Sequence, residues 1–181
     1  MILFFGPAGS GKSTQAQMLV DGDGYAWLSM GQLFRETTDL EVHELMQRGE
    51  LVPFEKTNQI LGEALDKLKA TTKMILDGYP RDLNQAQWLI QYCKTKNISI
   101  DLALNFDVNI EELLQRMELR GRADDTPGSI KKRLEIYHHA IDPILDCLSE
   151  SCTKVVHIDG TGTVEDIHNR VKGVLIECKL V

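Results

Sequence analysis

The stretch Ile2-Leu3-Phe4-Phe5-Gly6-Pro7-Ala8-Gly9-Ser10-Gly11-Lys12-Ser13 decides how the rest of the chain is read. Ile2 to Phe5 is a short continuous apolar run closed by glycine, as expected of a strand buried on both faces. Gly6 to Ser13 fits the spacing Gly-x-x-x-x-Gly-Lys-Ser/Thr, and helix-compatible residues follow from Lys12 to Val20. Glycines let successive backbone N–H groups point into one concavity, and the helix adds its positive N-terminal end. In such a loop Lys12 reaches the outer phosphates of a nucleoside triphosphate, and Ser13 places a hydroxyl on Mg²⁺. A glycine-rich turn without a ligand would carry the same residues. It would not need the buried strand before and the helix after, and both are present.

Working outward, apolar runs alternate with helical stretches. Asp21 to Gly24 reads as a turn and Tyr25 to Leu28 as a second strand, with Ser29 as N-cap of a short helix through Arg35. Helices are expected over Leu40 to Arg48 and Phe54 to Lys69, punctuated by Gly49 and Pro53. Lys73 to Leu76, Ile100 to Phe106 (with Asn105 its one polar residue) and Val155 to Ile158 read as further strands. The remaining helices are Leu83 to Lys94, Ile110 to Leu119, Ser129 to Leu148 and Val164 to Cys178, the third kinked or broken near Pro143. Alternation of this kind implies an α/β fold whose mostly parallel sheet is covered on both faces. Together with the loop at Gly6 to Ser13, the expectation is the five-stranded, three-layer arrangement of P-loop NTPases. The three helices between Ser29 and Lys69 form an insertion.

Composition narrows the classes. With 181 residues, the chain is one domain with room for a small insertion. Twenty Lys and Arg against 27 Asp and Glu leave a net charge of −7, which argues against a wholly nucleic-acid- or membrane-binding surface. Cys93, Cys147, Cys152 and Cys178 show no Cys-x-x-Cys spacing, and no His-Glu-x-x-His occurs, so no zinc is expected. The cysteines read as small buried hydrophobes in a reducing compartment, and no leader or apolar span is seen, so the expected location is the cytoplasm.

Four separated segments resemble the nucleoside monophosphate kinases and, among them, the adenylate kinases. The first is Gly6 to Ser13. The second, Leu28-Ser29-Met30-Gly31-Gln32-Leu33-Phe34-Arg35, is similar to the family's Ile-Ser-Thr-Gly-Asp-Met-Leu-Arg. The third, Leu76-Asp77-Gly78-Tyr79-Pro80-Arg81 continuing to Gln85-Ala86, resembles Asp-Gly-Phe-Pro-Arg-x-x-x-Gln-Ala. The fourth is Gly121-Arg122-Ala123-Asp124-Asp125 with the trailing Lys131-Lys132-Arg133. A GTP switch would carry an Asn-Lys-x-Asp base reader, which is absent.

The resemblance implies reversible phosphoryl transfer from ATP to AMP, giving two ADP with Mg²⁺. It divides the chain into a core (1–28, 59–115 and 127–181), a monophosphate-binding insertion (29–58) and a short lid (116–126). Gly9, Ser10, Gly11, Lys12, Ser13 and Thr14 bind the donor phosphates, and Ser13 and Asp77 hold the metal, Asp77 partly through water. Lys12, Arg81, Arg116, Arg122 and Arg133 neutralise the transferring group. Arg35, Leu51, Val52, Gly78, Arg81 and Gln85 bind the acceptor. Gln85 reads adenine, where UMP and CMP kinases carry Asn. The Tyr79–Pro80 bond is cis in the family. Two departures stand out: Met30 replaces the family's Thr, which favours a UMP or CMP kinase, and Gln32 replaces its Asp.

Chemistry supports the same reading. The nucleophile is already an anionic phosphate oxygen, so the needs are charge neutralisation, in-line positioning and exclusion of water. Between Arg116 and Arg133 six cationic residues face three acidic ones, a local excess of +3. A solvated helix face would also explain such a run, and does so for Lys131 and Lys132. Asp77 could instead cap the next helix. Asp159-Gly160-Thr161-Gly162 stands where the family sets backbone against the donor adenine, and an ordinary glycine turn explains it equally well. A non-catalytic nucleotide sensor would keep the loop but need not keep the arginines. The expected partners are therefore small nucleotides, without nucleic acid or membrane, and a monomer as the working unit.

Overall fold

Alternate side chains of Ile2–Phe5, strand β1, point to opposite sides of the sheet: Leu3 and Phe5 join one apolar cluster, Ile2 and Phe4 the other. That is the requirement for a central strand covered on both faces. The computed structural model describes residues 1–69, 72–121 and 125–181, with residue 120 in backbone only. The elements in chain order are β1 (Ile2–Phe5), α1 (Lys12–Asp23), β2 (Ala26–Ser29), α2 (Met30–Glu36), α3 (Leu40–Gln47), α4 (Phe54–Leu65) and β3 (Met74–Asp77). There follow α5 (Leu83–Lys96), β4 (Leu102–Asp107), α6 (Ile110–Arg120), α7 (Pro127–Glu150), β5 (Lys154–Asp159) and α8 (Val164–Glu177).

The five strands are all parallel, in the order β2-β3-β1-β4-β5. Helices α1 and α8 cover one face through Ala16, Leu19, Ile167, Val171 and Leu175. Helices α2 to α5 and α7 cover the other, through residues such as Phe34, Leu61, Leu89 and Leu148. The expected three-layer α/β architecture is therefore present. A smaller cluster of Leu113, Met117 and Leu134 packs α6 and α7 beside Ala8 of the loop after β1. Parallel strands bring their C-terminal ends to one edge, where such sheets place ligands.

Several expectations change. The turn at Asp21 to Gly24 is mostly helix: α1 runs on to Asp23 and stops at Gly24, whose φ of 69° makes the left-handed cap and whose N–H donates to Leu19 O. Ser29 closes β2 and precedes α2, but its side chain makes no cap hydrogen bond. Helix α4 ends at Leu65, short of Lys69. Pro143 does not break α7, a single helix of 24 residues. His139 and Pro143 both lie on its exposed side, so the carbonyl that loses its i+4 partner faces water. Of the cysteines only Cys93 is buried; Cys147 and Cys178 are half-buried and Cys152 is exposed, all as free thiols.

Candidate active site

The turn between β1 and α1 wraps over the C-terminal end of the central strand. Gly6, Gly9 and Gly11 have φ of 146°, 87° and 90°, conformations that turn successive N–H groups inward and that side chains resist. The first turn of α1 carries no acidic residue, so its positive end stays available to an anion. Lys12 folds back over the loop, its Nζ donating to Gly6 O at 2.6 Å, Pro7 O at 2.8 Å and Ser10 Oγ at 3.0 Å. Its ammonium thus sits over the concavity. Thr14 stands exposed on the same first turn.

Asp77 ends β3 in register with Phe4 of β1 and Ser29 of β2. Ser13 Oγ donates to Asp77 Oδ2 at 3.1 Å, which sets a hydroxyl oxygen beside a nearly buried carboxylate. Two hard oxygen ligands next to a phosphate loop fit Mg²⁺. The helix-capping alternative for Asp77 fails, because Asp82 caps α5 by accepting from Gln85 N at 2.8 Å.

The residues expected to hold the acceptor gather on the next turn. The Tyr79–Pro80 bond is cis, as expected. Arg81 N donates to Gln85 Oε1 at 2.8 Å, and Arg81 Nε to Gly78 O at 2.9 Å, so all three expected residues form one bonded unit. Burial pushes the Arg81 pKa down, with the Asp77 charge opposing this and the Arg133 charge reinforcing it, and all three residues line one cleft. A guanidinium remains charged through such a shift. Tyr79, fully buried, hydrogen-bonds Asn58 Oδ1 at 2.6 Å and so joins this turn to α4. Arg35 lies exposed at the rim. Met30, 1% exposed, forms part of the wall.

A single cleft of about 200 Å³ is lined by Lys12, Ser13, Arg35, Leu51, Val52, Asp77, Gly78, Arg81, Gln85 and Arg133. Its far side is apolar, with Tyr137, Ile141 and Ile144 of α7. Among the described residues no histidine lines it. Arg133 is steered into it by Asp125, whose Oδ1 accepts from Nη2 at 2.6 Å and whose side chain is 3% exposed.

Arg116 and Gly160 meet each other rather than the cleft wall. Arg116 Nη2 pairs with Glu112 and donates to Gly160 O at 3.0 Å, while Nη1 lies 3.9 Å from where a Cβ on Gly11 would be. Arg116 therefore stands beside the phosphate loop. Lys131 is a solvated residue near Glu135, as read from sequence, but Lys132 reaches Glu50 on the cleft rim at 2.7 Å. Arg122 lies outside the described residues, as does the middle of the segment expected as lid. That segment starts inside α6.

Sequence reasoning passed over Glu112, Asp125 and Asn105 as site-building residues. Glu112 carried a signal, since an acid four residues before an arginine pairs with it on a helix. Asn105, the polar residue of β4, accepts from the Tyr137 hydroxyl of α7 and donates to Asp107 Oδ1 of its own strand at 2.8 Å, so both ends of its amide are satisfied.

This arrangement has counterparts among known proteins. The sequence model of the family described as adenylate kinase matches residues 4–153. The adenylate kinase of Mycobacterium marinum is 37% identical over 175 residues, covering 93% of this chain and 95% of its own. That of Mycobacteroides abscessus is 37% identical over 180 residues, covering 96% and 98%. That of Corynebacterium urealyticum is 36% identical over 172 residues, covering 92% and 93%. A match this long takes in the phosphate loop, the Asp77–Gln85 turn and the arginine-bearing helices together, and the chain belongs to the adenylate kinase family.

Proposed function

We propose that the two substrates meet across Lys12 and Arg81, ATP laid over the phosphate loop toward Arg116 and Gly160, and AMP held between Arg35, Leu51, Val52, Gly78 and Gln85. As an adenylate kinase the chain catalyses the reversible conversion of ATP and AMP to two ADP. An AMP phosphate oxygen forms the new bond to the γ-phosphorus as the bond to the β–γ bridging oxygen breaks, and ADP leaves. The attacking oxygen is already anionic, so these side chains position and neutralise, while the insertion (29–58) and the short lid (116–126) close to exclude water. Lys12, Arg81, Arg116, Arg122 and Arg133 supply the positive charge. Ser10 and the N–H groups from Gly9 through Thr14 cradle the donor phosphates. Mg²⁺ bound at Ser13 and Asp77 would screen the β- and γ-phosphate oxygens.

The observation that carries this assignment is the placement of Lys12, Asp77, Arg81 and Arg133 around one cleft at the ends of β1 and β3. Charge locally opposite to the net −7 gathers there, which lets an acidic chain bind two polyanions. Four free thiols support the cytoplasm as its compartment, and among the described residues no helix is long and apolar enough to cross a membrane. A cleft built within one chain supports a working monomer.

The test is a coupled assay with ATP and a panel of AMP, CMP, UMP and GMP, with and without a chelator. ADP formation is expected with AMP and Mg²⁺, and to stop with EDTA. Undiminished turnover in EDTA overturns the metal assignment, and a preference for UMP or CMP overturns the acceptor assignment. In the same assay Gln85→Asn is expected to cut kcat/KM for AMP more than tenfold, about 1.4 kcal/mol of base recognition. An unchanged value would remove Gln85 from the base site.

A further inference from the structure

The loop that follows β5 is held more firmly than its exposure requires. Arg170 of α8 donates from one nitrogen, Nη1, to Asp159 O at 2.8 Å and to Thr161 O at 2.6 Å, the carbonyls on either side of Gly160. Gly160 N donates to Asp107 O at 2.8 Å, and a Cβ on Gly160 would come within 2.5 Å of Val108 Cγ2. The peptide thus lies against the end of β4, with no room there for a side chain. Asp159 Oδ1 also accepts from Thr161 N at 3.0 Å and Thr161 Oγ1 at 2.6 Å. A reciprocal capping box between Thr163 and Asp166 fixes the start of α8, so Arg170 works from a rigid base.

Fixed in this way, the loop aims one free group at the site, the Gly160 carbonyl that takes Arg116 Nη2 at 3.0 Å. We propose that Arg170 is a positioning residue for the phosphoryl donor, acting through the Asp159–Thr161 loop to hold the Arg116 guanidinium beside the phosphate loop. Arg170 touches neither Arg116 nor the cleft. It decides where the Gly160 carbonyl points, and that carbonyl, with Glu112, decides where Arg116 can put its remaining N–H groups. Loops that carry binding groups are mobile unless something outside them ties them down, and an error of about 1 Å in such a group is enough to cost rate. The Arg170–Asp159 carboxylate distance of 3.7 Å, between exposed groups, is too weak an ion pair to be the reason for the arrangement. The two carbonyl bonds are the ones that carry geometry. The inference rests on the proposed placement of Arg116 on the donor side.

The test compares Mg-ATP binding by calorimetry, and KM for each substrate, in Arg170→Met, Arg170→Lys, Arg116→Met and the Arg116→Met/Arg170→Met pair. Arg170→Met is expected to weaken Mg-ATP binding and raise its KM about tenfold, with KM for AMP changed less than twofold. Arg170→Lys should restore most of the loss, since an ammonium can also span two carbonyls. In the Arg116→Met background the second substitution should add nothing, because the groups act in series. Unchanged Mg-ATP binding, equal losses for both substrates, or a full additional loss in the double variant would each overturn the proposal. If the unmodified protein binds Mg-ATP yet makes no ADP, the catalytic assignment fails, while the binding cycle still judges Arg170.

Discussion

Lys12→Met is expected to lower kcat for ADP formation about 10³-fold, the scale on which removing a charged contact to a transferring phosphoryl group acts. The ammonium donates to Gly6 O, Pro7 O and Ser10 Oγ, so in the free protein it closes the loop around itself. Phosphate oxygens would replace those carbonyls as partners without moving the lysine off the concavity. Methionine keeps the length of the stem and loses every donor. Gly6 is half-buried, within reach of water that can take over its carbonyl, whereas buried Pro7 and Ser10 lose a partner, so a modest loss of stability is expected. Thermal melting with and without Mg-ATP checks this: the free variant should melt within a few degrees of the unmodified protein and lose most of the nucleotide-induced rise. A variant retaining more than a tenth of kcat would remove Lys12 from the catalytic set.

Arg133→Lys is expected to cost about 10²-fold in kcat with little change in melting temperature. Arg133 spends Nη2 on Asp125, a carboxylate whose side chain is only 3% exposed, and Nε on Ser129 O at 3.3 Å, yet it also lines the cleft. A planar fork can anchor itself on one edge and present another to a phosphate. An ammonium keeps the charge beside Asp125, so the fold should hold, but it cannot keep the same anchors and reach the same place. Pre-steady-state rates separate the two effects, and a lysine variant with normal single-turnover rates would make Arg133 a purely structural partner of Asp125.

How far the sequence reveals this molecule follows the range of the interactions involved. The phosphate loop is legible because Gly6 to Ser13 is local: the strand, glycines and helix start that build it are consecutive. All five strands are found from apolar runs; β1 keeps its expected bounds, and the ends of the other four move by one or two residues, since registers such as Ser29 with Asp77 are set by neighbours. The extent of α1 depends on Gly24 adopting a left-handed cap, and the continuity of α7 on which side Pro143 faces. Neither is written in a local pattern. In the site, Arg81, Gly78 and Gln85 sit within eight residues and are found together. The meeting of Arg116 with Gly160 spans 44 residues, and the contact of Lys132 with Glu50 spans 82; only the folded chain brings these together. Asn105 looked anomalous as a strand residue because its partner, Tyr137, comes from a helix that packs on the sheet later in the chain.

The position of β1 between β3 and β4 has a consequence for how the enzyme can change. The residues proposed for the acceptor come from β3, α5 and the helices before them, whereas Arg116 and Gly160, proposed for the donor, come from the β4–β5 side. The phosphate loop is the partition both sides share. If the proposed placement holds, substitutions at Met30 or Gln85, which line the cleft, should change which monophosphate is accepted and leave binding of the triphosphate unchanged. On that reading the sheet order lets a change on one flank be measured apart from the other, with the phosphate loop common to both.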